Sequence, residues 1–379
     1  MKPLSSRKGI LICGAYGLGN AGDEAILTAI LGQVRAAVPE AEITVLSRNP
    51  DETAAQYQVR ALYMFDLPGI RRVMGDTRVY INGGGTLIQD STSRRSLLYY
   101  LYTLLAAKRQ GCRVLMYGCG VGPIRRFGDA AITRRVLSRC VDAITLREAD
   151  SFRELAAMGV RGPEIVLSAD PALTLKPAPE SEIDALFKAA GIPPHGRYIC
   201  FALRDWKGYG KKAAVFGAAA RYAYETYGLT PVFTAIEKRQ DPAAHRPAAK
   251  ALHPSKGLQG IPHYFLDDAG NAGTIIGALS RMEIVVSMRL HALIFAAGQG
   301  IPLIGVVYDP KVSAFLRYLR QNLFIDLDAL DAAALCALLD QAVEKTKHPA
   351  EQAAAVERLR EIEARNAAAA RRLWEISPS

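Results

Sequence analysis

The sequence has few cysteines and no pair of them at a functional spacing. Its six cysteines stand singly, mostly within apolar runs, which favours reduced core residues over disulfides or a zinc site. The HExxH, GxSxG and P-loop motifs are also missing, which argues against the hydrolases and nucleotidases that depend on them. We therefore expect neither a metal nor an organic cofactor.

Long apolar runs are scarce as well. The longest, residues 97–107, is too short to span a bilayer and is typical of a buried helix. No apolar segment of signal-peptide length precedes the first predicted strand. These features favour a cytoplasmic protein, with the inner face of the plasma membrane as an alternative location.

Acidic side chains are outnumbered by basic ones. The chain has 47 Lys and Arg against 37 Asp and Glu, which gives a formal charge of +10. Residues 1–175 contain 22 of the basic and 16 of the acidic residues. Basic residues recur there as neighbouring pairs, namely 71–72, 94–95, 108–109, 125–126 and 134–135. Such a surplus suits an anionic substrate or an anionic membrane surface, or it marks solvated helix faces. No basic run interleaved with aromatics occurs, so nucleic acid is not an expected partner.

Short apolar runs alternate with helical patterns twice along the chain. The runs are residues 9–14, 42–46, 78–81, 113–117 and 143–146, then 198–203, 230–235, 284–287 and 303–307. This alternation predicts an α/β fold of two Rossmann-like domains with parallel sheets. We expect an N-terminal domain over 1–175, a Pro-rich linker with one short helix inside it over 176–196, a second domain over 197–345 and a C-terminal helix over 346–379.

Three glycine-rich segments in the first domain are predicted to be loops that follow strands. Glycine permits positive φ, and a helix N-terminus offers free N–H groups, so both suit an anion or a sugar ring. The candidate binding residues are Gly19, Asn20, Gly22, Asp23, Gly84, Gly85, Thr86, Gly120 and Gly122. Helix caps at Asp23 and Glu24 and plain turns elsewhere are the structural alternatives.

The spacing of Gly17, Gly19 and Gly22 also matches a dinucleotide fingerprint. However, the strand at 42–46 leads into Ser47 and Arg48 rather than into the acid that holds a ribose. Dinucleotide binding is therefore disfavoured.

Charged residues follow several predicted strands. Arg147 comes directly after residues 143–146 and either grips a carboxylate or phosphate with its planar fork or pairs structurally with Glu148. In the second domain Arg204 follows one strand, and Tyr308 and Lys311 follow another. A solvated turn is the alternative for each of these.

The segment SMRLHA, residues 287–292, contains the strongest candidates. A buried strand ends in Ser287, and Arg289 and His291 come just before an apolar helix. In extended backbone, residues two apart face the same side, so we expect this cation and this proton-transfer group to converge. The other five histidines are predicted to lie in loop-like or polar stretches.

The motifs GNAGDEA, GGGTL, GCGVGP, LRE, ADPAL, SMRLHA and YDPK occur in this order between about residues 10 and 315. Together they resemble the polysaccharide pyruvyl transferase family, and within it the CsaB type that acts in cell-wall polysaccharide assembly. The resemblance implies a GT-B-like fold, in which two Rossmann-like domains face a central cleft.

By resemblance the donor is phosphoenolpyruvate, a substrate rather than a cofactor. The acceptor is a sugar, N-acetylmannosamine in that branch, on a lipid diphosphate carrier. Arg147, Arg289 and His291 correspond to donor-site and catalytic residues, with Ser287, Leu290, Arg204, Tyr308 and Lys311 beside them. The glycine-rich segments correspond to acceptor and anion contacts, and peripheral contact with an anionic membrane is consistent with a lipid-linked acceptor.

Two other functions remain open at this point. A nucleotide-sugar glycosyltransferase would share the architecture, but it needs a carboxylate for the ribose late in the second domain, where mainly cations occur. A non-catalytic scaffold at the membrane would explain the basic surplus but not the residues around His291.

Overall fold

The computed structural model describes residues 3–253 and 259–376, and the chain divides into two compact units. Unit 1 comprises Met1–Pro171 together with Leu359–Ser379, and unit 2 comprises Ala172–Arg358. All strand pairs in both units are parallel among the described residues. The prediction of two parallel-sheet α/β domains is therefore confirmed.

Unit 1 has a seven-stranded sheet in the order β3-β2-β1-β4-β5-β6-β7. Its strands are β1 (Gly9–Cys13), β2 (Glu42–Ser47), β3 (Arg60–Tyr63), β4 (Thr77–Ile88), β5 (Arg113–Val121), β6 (Ala143–Leu146) and β7 (Glu164–Leu167). The helices between them are α1 (Ala21–Ala37), α2 (Pro50–Tyr57), α3 (Leu67–Met74), α4 (Arg94–Arg109), α5 (Phe127–Cys140) and α6 (Ala149–Met158). The central strands read as continuous apolar runs because helices cover the sheet.

One hydrophobic core of unit 1 lies between its sheet and the helices α3, α4, α5 and α6, and α1 and α15 contribute further buried side chains. The apolar run at 97–107 belongs to α4 and contributes buried Leu97, Leu101 and Leu104, as its pattern predicted. None of the described helices combines the length and apolar character needed to cross a membrane.

Unit 2 has a six-stranded sheet in the order β10-β9-β8-β11-β12-β13. Its strands are β8 (Tyr198–Ala202), β9 (Thr230–Thr234), β10 (Tyr264–Leu266), β11 (Ile284–Ser287), β12 (Leu303–Val307) and β13 (Phe324–Asp326). Its helices are α7 (Glu180–Ala189), α8 (Ala213–Tyr227), α9 (Pro242–Ala249), α10 (Ala272–Ser280), α11 (Leu290–Gly298), α12 (Pro310–Tyr318) and α13 (Ala332–Thr346). The strand order reverses between β8 and β11, which is where doubly wound sheets bind ligands.

The end of the chain differs from the single helix expected over 346–379. Two helices, α14 (Pro349–Glu363) and α15 (Arg365–Glu375), follow α13. Helix α15 packs against α1 and the central strands of unit 1. The segment expected to be a linker, 176–196, contains α7, which packs on α10 of unit 2.

Two of the three glycine-rich segments are not loops, so that prediction is wrong. β4 runs through Gly83, Gly84 and Gly85 to Ile88, and β5 runs through Gly118 and Gly120 to Val121. Both strands pair with register shifts in these stretches. The strands continue through these glycines because glycine accepts the irregular backbone dihedrals that such register shifts require.

Candidate functional site

Arg289 lies at the carboxyl edge of the unit 2 sheet and is held from below by a buried acid. Its Nε is 3.1 Å from Oδ2 of Asp241, whose side chain is fully buried. The same oxygen accepts hydrogen bonds from the backbone N–H groups of Ile236 and Glu237, at 3.0 and 2.8 Å. Burial raises the pKa of Asp241, while the Arg289 charge acts against that rise. Asp241 thus fixes one side of the Arg289 guanidinium, a role that the sequence analysis missed.

The turn between β11 and α11 is organised by Ser287. Its hydroxyl donates to the carbonyl of Ala202 at 3.1 Å and accepts from the N–H of Arg289 at 2.8 Å. Ser287 is fully buried, so it shapes the turn from inside the unit. Arg289 is the N-terminal cap of α11, and Leu290 is the first residue of that helix.

His291 lies in the first turn of α11, so the extended-backbone argument for its direction is wrong. The backbone becomes helical at Leu290, and alternation no longer applies beyond it. His291 is partly exposed, and its ring centre is 6.1 Å from that of Phe295, one helical turn further on. Arg289, by contrast, is only 8% exposed.

Arg204 follows β8 and belongs to a small aromatic cluster. Its Nη1 donates to the hydroxyl of Tyr308 at 3.0 Å. Its guanidinium lies over the rings of Trp206 and Tyr308, at 5.2 and 5.6 Å from their centres. Trp206 is 38% exposed and contacts Tyr308 at a ring separation of 4.9 Å. Cation–π contact of this kind orients an arginine without neutralising it.

Lys311 occupies the first turn of α12, after β12. Asp309 caps that helix by accepting the N–H of Lys311 at 3.1 Å, and its other carboxylate oxygen is 3.6 Å from the Lys311 Nζ. Lys311 therefore has a local counter-charge. The strands β8, β11 and β12 are successive neighbours in the sheet, each about 4.8 Å from the next. Because these strands are parallel, the predicted residues Arg204, Arg289 and Lys311, which follow their carboxyl ends, lie at the same edge of the sheet.

His245 is a buried histidine that the sequence analysis placed wrongly in a polar, loop-like stretch. It lies in α9 with no exposed surface. Its Nε2 accepts the N–H of Leu203 at 3.4 Å, and its Nδ1 is 3.7 Å from Oδ1 of Asp267. His245 together with Arg246 lowers the pKa of Asp267. The imidazole thereby supports the backbone just before Arg204.

Arg147 of unit 1 is enclosed by acidic and hydroxyl side chains. Its Nε donates to Glu148 at 2.9 Å, its Nη1 to Asp170 at 2.8 Å and its Nη2 to Thr86 at 3.0 Å. Burial alone would lower the pKa of Arg147, but Glu148 and Asp170 raise it. Burial raises the pKa of Glu148, whose carboxylate also accepts a hydrogen bond from the Ser151 hydroxyl. With two carboxylates around one guanidinium, this geometry fits the structural pairing that the sequence left as an alternative.

The loop before α1 is built around Asn20 and Glu24. Asn20 caps the helix by accepting the N–H of Gly22 at 3.1 Å, and it donates to Asp23 at 2.7 Å. Glu24 accepts from the N–H of Gly17 at 2.7 Å and from the hydroxyl of Tyr57 at 2.9 Å. Burial raises the pKa of Glu24. The cap is therefore Asn20, while Asp23 and Glu24 fasten the loop.

The glycines of β4 and β5 are required mainly by protein neighbours. Gly84 has φ 65°, and a Cβ there would lie 2.0 Å from Ile26. A Cβ at Gly120 would lie 2.7 Å from the Thr86 hydroxyl, and one at Gly122 would lie 2.6 Å from Glu154. Gly85 and Gly19 are different, since their nearest neighbour is 3.6 Å away or beyond 4 Å. Of these five glycines, only Gly85 and Gly19 leave space for a ligand.

No group of three His, Cys, Asp or Glu side chains in the described ranges is arranged to hold a metal ion.

The fold is shared with proteins solved in complex with UDP-sugars and with a glycosyltransferase. The HepE protein of Anabaena, solved in complex with UDP-glucose, aligns over 96% of this chain and 99% of its own, with a TM-score of 0.64 and 12% identity. The UDP-GlcNAc 2-epimerase of Neisseria meningitidis, bound to UDP-GlcNAc, aligns over 93% and 98%, with a TM-score of 0.59 and 11% identity. A glycosyltransferase from Rickettsia africae aligns over 97% of this chain and 98% of its own, with a TM-score of 0.61 and 13% identity. At these identities the likeness establishes a GT-B-like fold, as predicted, and no activity.

Sequence comparison is more specific. No protein of curated function matches the chain. The family model described as polysaccharide pyruvyl transferase matches residues 20–310, which include Asn20 and Asp23 at the start of α1, the Arg147 cluster, and Arg204 and Arg289 of unit 2. The chain therefore belongs to the polysaccharide pyruvyl transferase family.

Proposed function

We propose that the protein is a phosphoenolpyruvate-dependent transferase of the CsaB type. It moves pyruvate onto a sugar of a lipid-linked cell-wall polysaccharide precursor as a cyclic ketal and releases phosphate. N-acetylmannosamine is the proposed acceptor sugar. The observation that carries this proposal is the row of cationic residues at the edge of the unit 2 sheet, with Arg289 anchored on Asp241.

The charge of the donor fits that row. Phosphoenolpyruvate carries a carboxylate and a phosphate on three carbons, so it needs several cations close together. Arg204, Arg289 and Lys311 follow three adjacent strands. Arg289 is anchored through Nε, which leaves its two Nη groups for bidentate contact with an oxyanion. Arg147, with two carboxylates around it, remains a predicted contact of phosphoenolpyruvate, and calorimetry of the Arg147→Ala variant tests this contact.

The reaction needs protons to be delivered and removed. Protonation of C3 of the enol ether makes C2 electrophilic, and one acceptor hydroxyl adds there. The second hydroxyl then displaces phosphate and closes the ketal ring, so the acceptor gains pyruvate less one water. His291 is partly exposed at the start of α11 and is the proposed proton-transfer group. The predicted acceptor contacts are in residues 19–23 and 84–86 of unit 1.

The alternative is transfer of a sugar from a nucleotide donor, which the UDP-sugar complexes of the structural neighbours bring into consideration. Such an enzyme needs an available carboxylate for the ribose. In unit 2, Asp241 is occupied by Arg289, and Asp309 caps α12. These contacts favour phosphoenolpyruvate over a nucleotide sugar as the donor.

The test is incubation of the full chain with phosphoenolpyruvate and a lipid-linked disaccharide, read by mass spectrometry of the acceptor and by phosphate release. We expect His291→Asn to lower turnover roughly 10²–10⁴-fold, the range for a lost general acid–base group. Arg289→Ala and Arg147→Ala should each weaken donor binding by about 1.5–3 kcal/mol in calorimetry, if each contacts the donor. His348→Asn is the matched control, because His348 is exposed outside this edge.

Two results contradict the proposal. One is sugar transfer from UDP-sugars without any pyruvylated product, which supports the alternative. The other, pyruvyl transfer at the wild-type rate by His291→Asn, contradicts the role proposed for His291 and assigns the proton transfer to another residue.

A further inference from the structure

Helix α5 has an exposed face that combines large apolar side chains with arginines. Phe127 is 91% exposed, far above the next most exposed aromatic, Phe152 at 49%. Ile132 is 41% exposed and lies next to Arg135 and Arg139 on the helix, about 140° around it from Phe127. At the helical period this face continues through three exposed arginines, and the buried residues form the opposite side. The arginines are Arg134, Arg135 and Arg139.

A groove of ≈ 950 Å³ extends this face towards the turn after α6. Its lining contains four arginines, those three and Arg161, and none of its described lining residues is acidic. The turn is packed closely on α5, since the N–H of Arg161 donates to the Ser138 hydroxyl at 3.1 Å. The arginines therefore stand on a fixed scaffold. We call Phe127, Ile132 and these four arginines the α5 surface.

The charge of the α5 surface is not compensated within the described part of the chain. None of its arginines forms an ion pair there, whereas Arg94 on the neighbouring helix pairs with Asp129 at 2.9 Å and Lys108 pairs with Asp142 at 2.7 Å. The only acid of α5 is Asp129, and it is buried. Uncompensated, fixed cations beside exposed apolar side chains indicate a partner that is both anionic and apolar.

We propose that the α5 surface docks unit 1 onto an anionic lipid bilayer. Phe127 and Ile132 enter the interfacial region, and the arginines contact lipid phosphates. The bilayer is favoured over RNA because a base can stack on Phe127 but not on the aliphatic Ile132, whereas both side chains fit the interfacial region of a bilayer. The proposal does not rest on pyruvyl transfer, because binding to vesicles is measured without either substrate.

The experiment is flotation of the full chain with vesicles of phosphatidylcholine alone or with one-third phosphatidylglycerol. We expect binding only to the anionic vesicles. Arg135→Gln with Arg139→Gln should weaken it roughly 25-fold, at about fivefold per cation lost. Lys347→Gln with Arg371→Gln changes the net charge equally, at exposed residues paired with Glu344 and Glu375, and should retain binding.

Phe127→Ala tests the apolar part. It should weaken binding about tenfold at high salt, where charge is screened to a few ångström. Its side chain is so exposed that the fold should be unaffected, which an unchanged melting temperature verifies. The proposal is overturned if the wild type ignores anionic vesicles, or if the charge-matched control loses as much binding as the α5 variant. Unchanged vesicle binding by Phe127→Ala at high salt, with equally tight binding of an RNA oligomer, overturns it in favour of a soluble polyanion.

Discussion

At the scale of single residues, the position of Arg289 depends on Asp241. The acid has no exposed surface and gives one oxygen to two backbone N–H groups and to the Arg289 Nε. A buried pair of this kind is costly to break from one side, since the remaining charge has no partner. Asp241 is therefore a positioning residue for the cation that we assign to the donor.

We expect Asp241→Asn to destabilise the protein by about 3 kcal/mol and to raise the KM for phosphoenolpyruvate more than it lowers kcat. Adding Arg289→Gln should recover much of the stability, because no buried charge is then left alone. Urea unfolding of both single variants and the double variant measures the coupling. Additive losses would mean that the two side chains act independently. Asp184→Asn, which also removes a carboxylate from unit 2 but at an exposed pair with Arg281, serves as the control for KM.

The protonation state of Glu363 affects the stability of the protein. It is 3% exposed, accepts from Gln33 and Asn366 at 2.9 Å each, and has a pKa raised by burial from 4.5 to about 7. Between these two values the folded protein keeps a proton that the unfolded chain has lost. The stability contributed by this proton is therefore present at low pH and is lost as the pH rises through about 7.

The Glu363→Gln variant should not show this loss. Its amide oxygen still accepts both hydrogen bonds, and it is never ionised, so at about pH 8 we expect it to be more stable than the wild type by roughly 2–3 kcal/mol. At about pH 5 the two proteins should melt within a few degrees of each other. Melting curves that differ by the same amount at both pH values would show that Glu363 does not titrate in this range.

At the scale of elements, the glycines of β4 determine how closely α1 packs on the sheet. Gly84 has a positive φ, and a Cβ added there would lie 2.0 Å from the Ile26 side chain. Gly19 also has a positive φ, but a Cβ added there would have no neighbour within 4 Å. The two positions therefore separate packing from backbone strain.

We expect Gly84→Ala to destabilise unit 1 by roughly 3 kcal/mol or more, from strain and overpacking together. Gly19→Ala should cost only about 1 kcal/mol, because strain is its sole penalty. Denaturant midpoints of the two variants make the comparison. Equal losses would mean that Ile26 moves aside and that the glycine is needed for its φ alone.

At the scale of the whole molecule, unit 1 is completed by the end of the chain. Leu359, Leu373 and Trp374 are at most 7% exposed. The Trp374 indole donates to Glu40 at 2.7 Å, and Asn366 donates to the carbonyl of Ala169 at 3.0 Å. Unit 1 thus contains two stretches of chain that the whole of unit 2 separates.

A chain ending at Arg358 should fold unit 2 and leave unit 1 strongly destabilised. Each large apolar side chain removed from the core costs about 1.5–3 kcal/mol, and three of them exceed the margin of many domains. Calorimetry should show loss or a large downward shift of one transition. Arg371→Ala, on the exposed side of α15, is the control and should melt like the wild type. A truncated chain with an unchanged melting profile contradicts this account.

The sequence alone determined the alternation of strands and helices, because buried parallel strands must be apolar and their period differs from that of helices. Its motifs also indicated the family, and they predict a site at residues 287–291. It missed the short edge strands β3, β10 and β13 and gave no bounds for the edge strand β7, because their few residues carry too weak a pattern. Only the tertiary structure showed that Gly84 faces Ile26, that Arg147 is enclosed by Glu148 and Asp170, and that Asp241 and His245 lie beneath the unit 2 edge. These facts join residues far apart in the chain, and periodicity describes only neighbours along it. The same reason applies to α15, whose place in unit 1 depends on contacts made across more than 190 residues.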